Sequence, residues 1–118
     1  MVWFNIMANF YKNKFYDPST TDAVTVYTCP SNANAIIQNI QITNESGSKV
    51  VRAKVLDYNV TTTYQVAYAS ITGPTICNVA KGPIILEESD ALTLESSTTS
   101  GITATISILE ISRDDQNG

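Results

Sequence analysis

The sequence predicts an all-β fold: a single antiparallel β-sandwich of seven or eight strands, jelly-roll or immunoglobulin-like, led by an extended aromatic N-terminal segment. Three observations carry that expectation. Apolar and polar residues alternate with a period of two, as where Ile102, Ala104, Ile106 and Ile108 interleave with Thr103, Thr105 and Ser107, the spacing that puts alternate side chains on one face of a strand. Turn residues break the alternation at short, regular intervals, which suits a sandwich and leaves no room for a helix of length. Charged residues are only 15% of the chain, and Thr and Ser fill many of the other polar positions, a choice that favours exposed sheet faces over exposed helix faces. With 118 residues, the chain buries about two-thirds of its unfolded surface, enough for one core. A closed barrel is the alternative arrangement of the same strands.

Residues 1–22 concentrate Trp3, Phe4, Phe10, Tyr11, Phe15 and Tyr16 ahead of the turn-forming "DPST". Such a segment serves either as an edge strand or lid over the core, or as an arm that buries its aromatics on a neighbour, because exposed apolar patches mark contact sites. Trp3, Phe4, Phe10, Tyr11 and Phe15 are therefore candidate interface residues. "AVTVYTCP" (23–30) is the first strand of the sandwich, stopped by Pro30, which cannot donate to a ladder. In "AIIQNIQITN" (35–44) Ile36, Ile40 and Ile42 are expected on one buried face. "NESGS" then turns the chain, with Gly47 free to take positive φ. The hairpin partner (49–59) directs Val51, Ala53 and Val55 inward and Arg52 and Lys54 outward. Residues 61–72 alternate again, setting Tyr64, Val66 and Tyr68 against Gln65, Ala67 and Ala69. Short strands follow at 75–80 and on either side of Glu88–Asp90, the latter giving Ile85, Leu92 and Leu94 to the core. The last strand runs to residue 112, and 113–118 form a polar tail. Residues 23–112 are thus the sandwich domain, between the aromatic segment and that tail.

Little in this chain can react. It has no histidine, which removes the commonest general base, neutral metal ligand and partner of a catalytic Ser or Cys. Neither a C-x-x-C pair, a phosphate-cradling glycine loop nor a G-x-S-x-G elbow occurs. The acidic group Glu87, Glu88, Asp90 and Glu95 could supply a glycosidase pair or a calcium site only if its oxygens converged, and a solvated turn is the commoner form. No enzyme activity, catalytic residue, metal or cofactor is expected. The net charge of −4 and the scattered Lys49, Arg52 and Lys54 give no footprint for nucleic acid. No run approaches the length of a membrane helix, so no membrane partner is expected. "MVWFNIMANF" lacks a basic leader and reads as mature protein. Cys29 and Cys77 are accordingly expected as reduced, buried thiols.

"ITN" at 42–44, "LEESD" at 86–90 and "ILEIS" at 108–112, within a pattern that covers about residues 24–112, resemble the small β-sandwich virion proteins of tailed bacteriophages, cyanophages among them. Ser89 stands where that late turn often carries glycine. The resemblance implies a non-enzymatic virion structural protein, foremost a capsid decoration (cement) protein, with a neck, tail or baseplate component as the alternative. It also implies partners among capsid or tail subunits, a homo-oligomer, and assembly into virions in the host cytoplasm. A secreted carbohydrate- or surface-binding module is the alternative from another class, with Tyr58, Tyr64 and Tyr68 as its stacking platform. The absence of a leader weighs against that module, and the absence of histidine makes a hydrolase the weakest option.

Overall fold

In the computed structural model, which describes residues 5–115, the alternating segments become nine strands and no helix. They are β1 (Asn5–Tyr16), β2 (Val24–Thr28), β3 (Ala33–Asn44), β4 (Ser48–Asp57), β5 (Thr62–Thr72), β6 (Thr75–Asn78), β7 (Ile84–Leu86), β8 (Ala91–Ser96) and β9 (Ile102–Asp115). One sheet runs β1-β9-β3-β6, with β7 also on β3, and the other runs β2-β8-β4-β5. Every pairing is antiparallel. The fold is the predicted sandwich, with one strand more than the seven or eight expected. The ninth is β1, whose whole length from Asn5↔Asp115 to Tyr16↔Ala104 is laddered to β9.

Between the sheets, Ile37, Ile40, Ile42, Leu86, Ile102, Ile106 and Ile108 meet Val51, Leu92 and Leu94, all almost wholly buried. Burying a side chain of this size contributes about 1.5–3 kcal/mol, so these ten set the scale of the core. Two expected members are absent from it. Ile36 is only half-buried and Ile85 is 57% exposed. The cause for Ile36 is a β-bulge: the register with β9 steps from Ile37↔Ile108 to Asn39↔Ser107, leaving Gln38 as an extra residue. An extra residue reverses the alternation beyond it. Ala33, Ala35 and Ile37 therefore point inward before the bulge, and Ile40, Ile42 and Asn44 after it. β7 pairs Ile85 with Ile36 and Leu86 with Ala35, so Leu86 takes the core position. Similar bulges occur at Val26 in β2 and at Val66 in β5.

Two buried polar side chains close the ends of the sandwich. At one end the Asn44 amide donates to the carbonyls of Gly47 (2.8 Å) and Ile71 (3.0 Å) and accepts from the Ser46 N–H. It thereby ties the β3–β4 turn to the end of β5. Gly73 packs there so closely that an added Cβ would lie 2.7 Å from the Ser46 nitrogen. Near the opposite end of β3, Asp90 accepts from the Tyr58 N–H (3.0 Å) and the Glu87 N–H (2.9 Å), while its backbone carbonyl accepts from Cys29 N–H (2.8 Å). Ser89 beside it holds φ at +69°, a left-handed conformation that favours glycine.

Candidate contact interface

β1 carries the aromatic segment at the free edge of the first sheet, and cross-strand partners show which way each side chain faces. Tyr11 and Phe15 lie opposite Leu109 and Thr105 on the outer face, and they are 79% and 66% exposed. Phe10 lies opposite Glu110 on the inner side and is still 48% exposed. Tyr16 is the aromatic of β1 that enters the core, at 3% exposure. Trp3 and Phe4 lie outside the described residues.

Lys12 and Lys14 share the inner side with Phe10, and inward charges on an edge strand oppose further strand addition there. Together with Thr25, Tyr27, Pro30 and Glu110 they line a groove of about 290 Å³ between the β1 and β2 edges. Its floor is a buried polar cluster. The Tyr27 hydroxyl donates to Glu110 Oε2 at 2.5 Å, and Lys12 Nζ lies 3.0 Å from Glu110 Oε1. Burial alone would raise the Glu110 pKa, but the Tyr27 hydrogen bond and the lysine charges outweigh it and hold the carboxyl below its ordinary value. Burial and then the Glu110 carboxylate push the Tyr27 phenol well upward. The Cys29 thiol is pushed up to about 11, by burial first and then by nearby carboxylates. A tyrosine and a thiol held protonated beside a satisfied carboxylate form a structural staple, since none of the three is free to exchange a proton near neutral pH.

Glu87 and Glu88 line one hollow with Asn34 and Asn59, while the other two acidic residues are engaged elsewhere. Asp90 spends both carboxylate oxygens on backbone N–H groups, whereas Glu95 points from the outer face of the second sheet to Lys54 (3.1 Å) and Arg52 (4.0 Å). Among the described residues no cluster of acidic and sulfur ligands could hold a metal, and no helix is long and apolar enough to cross a membrane. Cys29 is buried and Cys77 half-buried, each a free thiol. Nor do the three tyrosines make one platform. The β5 bulge sets Tyr68 opposite outward Arg52, whose guanidinium sits 4.8 Å from the ring centre, and Tyr64 opposite inward Val55. Tyr58 sits in the preceding turn, and all three are more than half exposed.

Sequence reasoning passed over Glu110 and Asn44, though both gave a signal. Each is a polar residue in phase with a buried run, Glu110 following Ile106 and Ile108, and Asn44 following Ile40 and Ile42.

No family model and no curated protein matches this chain. Among solved structures it is similar to a protein of Bacillus endospore appendages, described as disulfide-linked pili, with a TM-score of 0.52 and 10% identity over 95% of this chain and 90% of that one. It is also similar to chains of infectious bursal disease virus. For the Gt strain the TM-score is 0.50 at 12% identity over 98% of this chain, and for the Gx strain it is 0.50 at 13% identity over 92%. This chain spans about a third of the length of those viral chains, 34% and 31%. These likenesses establish a shared β-sandwich fold.

Proposed function

We propose that this chain is a non-enzymatic structural subunit of a virion, and that within a tailed phage it serves as a capsid decoration protein in preference to a neck or tail component. The observation that carries the proposal is β1: a twelve-residue edge strand that displays Phe10, Tyr11 and Phe15 to solvent while its ladder to β9 and the Lys12–Glu110–Tyr27 cluster hold it rigid. Rigid, exposed aromatics are the usual anchors of protein interfaces. Support comes also from the kinds of assembly that share the fold, a pilus and a virus. On this reading residues 1–22, which include β1, are the contact segment, 23–112 the body that presents it and 113–118 a polar tail whose first three residues continue β9. Trp3, Phe4, Phe10, Tyr11 and Phe15 form the primary interface, with Tyr58, Tyr64 and Tyr68 a secondary one, and the partners are other virion proteins met during assembly in the host cytoplasm.

The test is a triple change, Phe10→Ser, Tyr11→Ser and Phe15→Ser. All three side chains are exposed, so the melting temperature should stay close to that of the parent protein while binding to virus particles in a co-sedimentation assay is lost. Particle binding that survives the triple change would place the interface elsewhere. Point changes suit this test because β1 supplies the outer ladder of β9, which a deletion would strip away.

A further inference from the structure

We infer that the outer face of the first sheet is a self-association surface that pairs with the same face of a second copy of this chain. The inference deepens the contact role proposed above and rests on it, while adding a partner and a geometry. Tyr11, Leu109, Ile36 and Ile85 stand in one cross-strand row over β1, β9, β3 and β7, through the pairs Tyr11↔Leu109, Leu109↔Ile36 and Ile36↔Ile85. The ends of the row are 79% and 57% exposed, and its middle members are half-buried. Around the row, the outward positions hold Asn, Gln, Ser, Thr and apolar residues. Among the side chains described on this face, as far as Asn9 of β1 and Ile111 of β9, there is no Asp, Glu, Lys or Arg; Arg113 and Asp115 take register positions of the same phase at the far end of β9. The outer face of the second sheet is the opposite, crossed by the Arg52, Lys54 and Glu95 ion pairs.

Charge selects the occupant. The chain has a net charge of −4, so two copies repel weakly at long range whichever faces meet, and a contact face without charges adds no local repulsion to that. A two-fold interface sets one patch against itself, and charges on that patch would meet their like near the axis. Depletion of charge is also what marks an interface centre. The amides and hydroxyls of Asn9, Asn13, Gln41 and Ser107 each donate and accept, so they can pair with their own symmetry mates. A projecting ring and a hollow lie side by side as well: Tyr11, Lys12, Asn13, Gln38, Ser107 and Ile108 line a depression of about 400 Å³ where the β3 bulge interrupts the sheet, the Lys12 ammonium itself being engaged by Glu110 on the inner side. A two-fold axis would use such a knob and hole twice. Three of the four side chains in the row are aliphatic, which suits protein packing and offers no stacking platform for a sugar.

Sedimentation velocity and native mass spectrometry of the full chain at tens of micromolar test the inference. The expected species has twice the 12.8 kDa chain mass. Ile85→Lys, at an exposed position, should raise the dissociation constant by at least about tenfold while leaving the melting temperature unchanged. Ser70→Lys, exposed on β5 of the other sheet, should leave the dimer intact. A monomeric parent protein would overturn the inference, as would a dimer that survives Ile85→Lys, equal loss in Ser70→Lys, or a monomer retained on insoluble polysaccharide. Failure here with particle binding intact would refute the self-association face and spare the contact role.

Discussion

Tyr27→Phe removes one oxygen from the buried cluster and should cost more stability than the whole of the Lys12 ion pair. The phenol donates to a 5%-exposed carboxylate, and a hydrogen bond to a charged group contributes about 1.5–3 kcal/mol. The Lys12 side chain is 43% exposed, which limits its pair to about 0.2–1 kcal/mol, so Lys12→Ala is the mild change. Glu110→Leu leaves the Tyr27 hydroxyl buried and unpaired, at about 1–3 kcal/mol. Combining Tyr27→Phe with Glu110→Leu replaces both partners by apolar groups, so the double variant should lose less than the two single variants added together. Urea unfolding followed by far-ultraviolet circular dichroism gives the four stabilities of the cycle, and the coupling should be at least about 1 kcal/mol. Single-variant costs that add to within about 0.5 kcal/mol would refute the staple.

Further outcomes follow from the same contacts. The Glu110 pKa is lowered in the fold, so its stabilisation is complete above the ordinary carboxylate value of 4.5 and is lost as pH falls through the lowered native value; a pH series of urea midpoints should show this acid loss and Glu110→Leu should blunt it. Cys29 is raised from 9.0 to about 11, so its contribution is complete below 9.0 and is lost between those values as pH rises, which Cys29→Ala should remove from the same series. Asn44→Ala should cost about 2–3 kcal/mol by freeing the Gly47 and Ile71 carbonyls. Asn44→Asp should not rescue it, because a carboxylate cannot donate to them. Ser89→Gly should raise stability by about 0.5–1 kcal/mol, since a left-handed residue with a Cβ costs about 1–2 kcal/mol and glycine returns part of that as unfolded-chain entropy. Thermal melts resolve a change of that size.

Strand identity was legible because the period-two pattern is local, and a sandwich asks little more of each segment. Facing was legible only between bulges. Ile36 and Ile42 are both even-numbered and share a face in any unbroken strand, yet one extra residue at Gln38 turns Ile36 to the outside. Nothing in "IIQNI" announces that insertion, which depends on the register β9 imposes. Val66 separates Tyr64 from Tyr68 in the same way. β1 was ambiguous for a different reason: as an edge strand with exposed side chains on both sides it lacks the alternation that a half-buried strand must show. The three motifs of the resemblance gain physical roles. "ITN" ends in the Asn44 tie, "LEESD" in the Asp90 turn lock, and "ILEIS" centres on Glu110. The outer row could not be read from sequence, because Tyr11, Ile36, Ile85 and Leu109 become neighbours only through three separate strand pairings.

Quantitative mass spectrometry of gradient-purified particles reads the proposed contact role without any variant. Peptides of this chain should band with the particle at a fixed, many-fold copy number per particle. Should the chain stay wholly in the soluble fraction, with particles free of it, the proposed role in a virus particle is wrong.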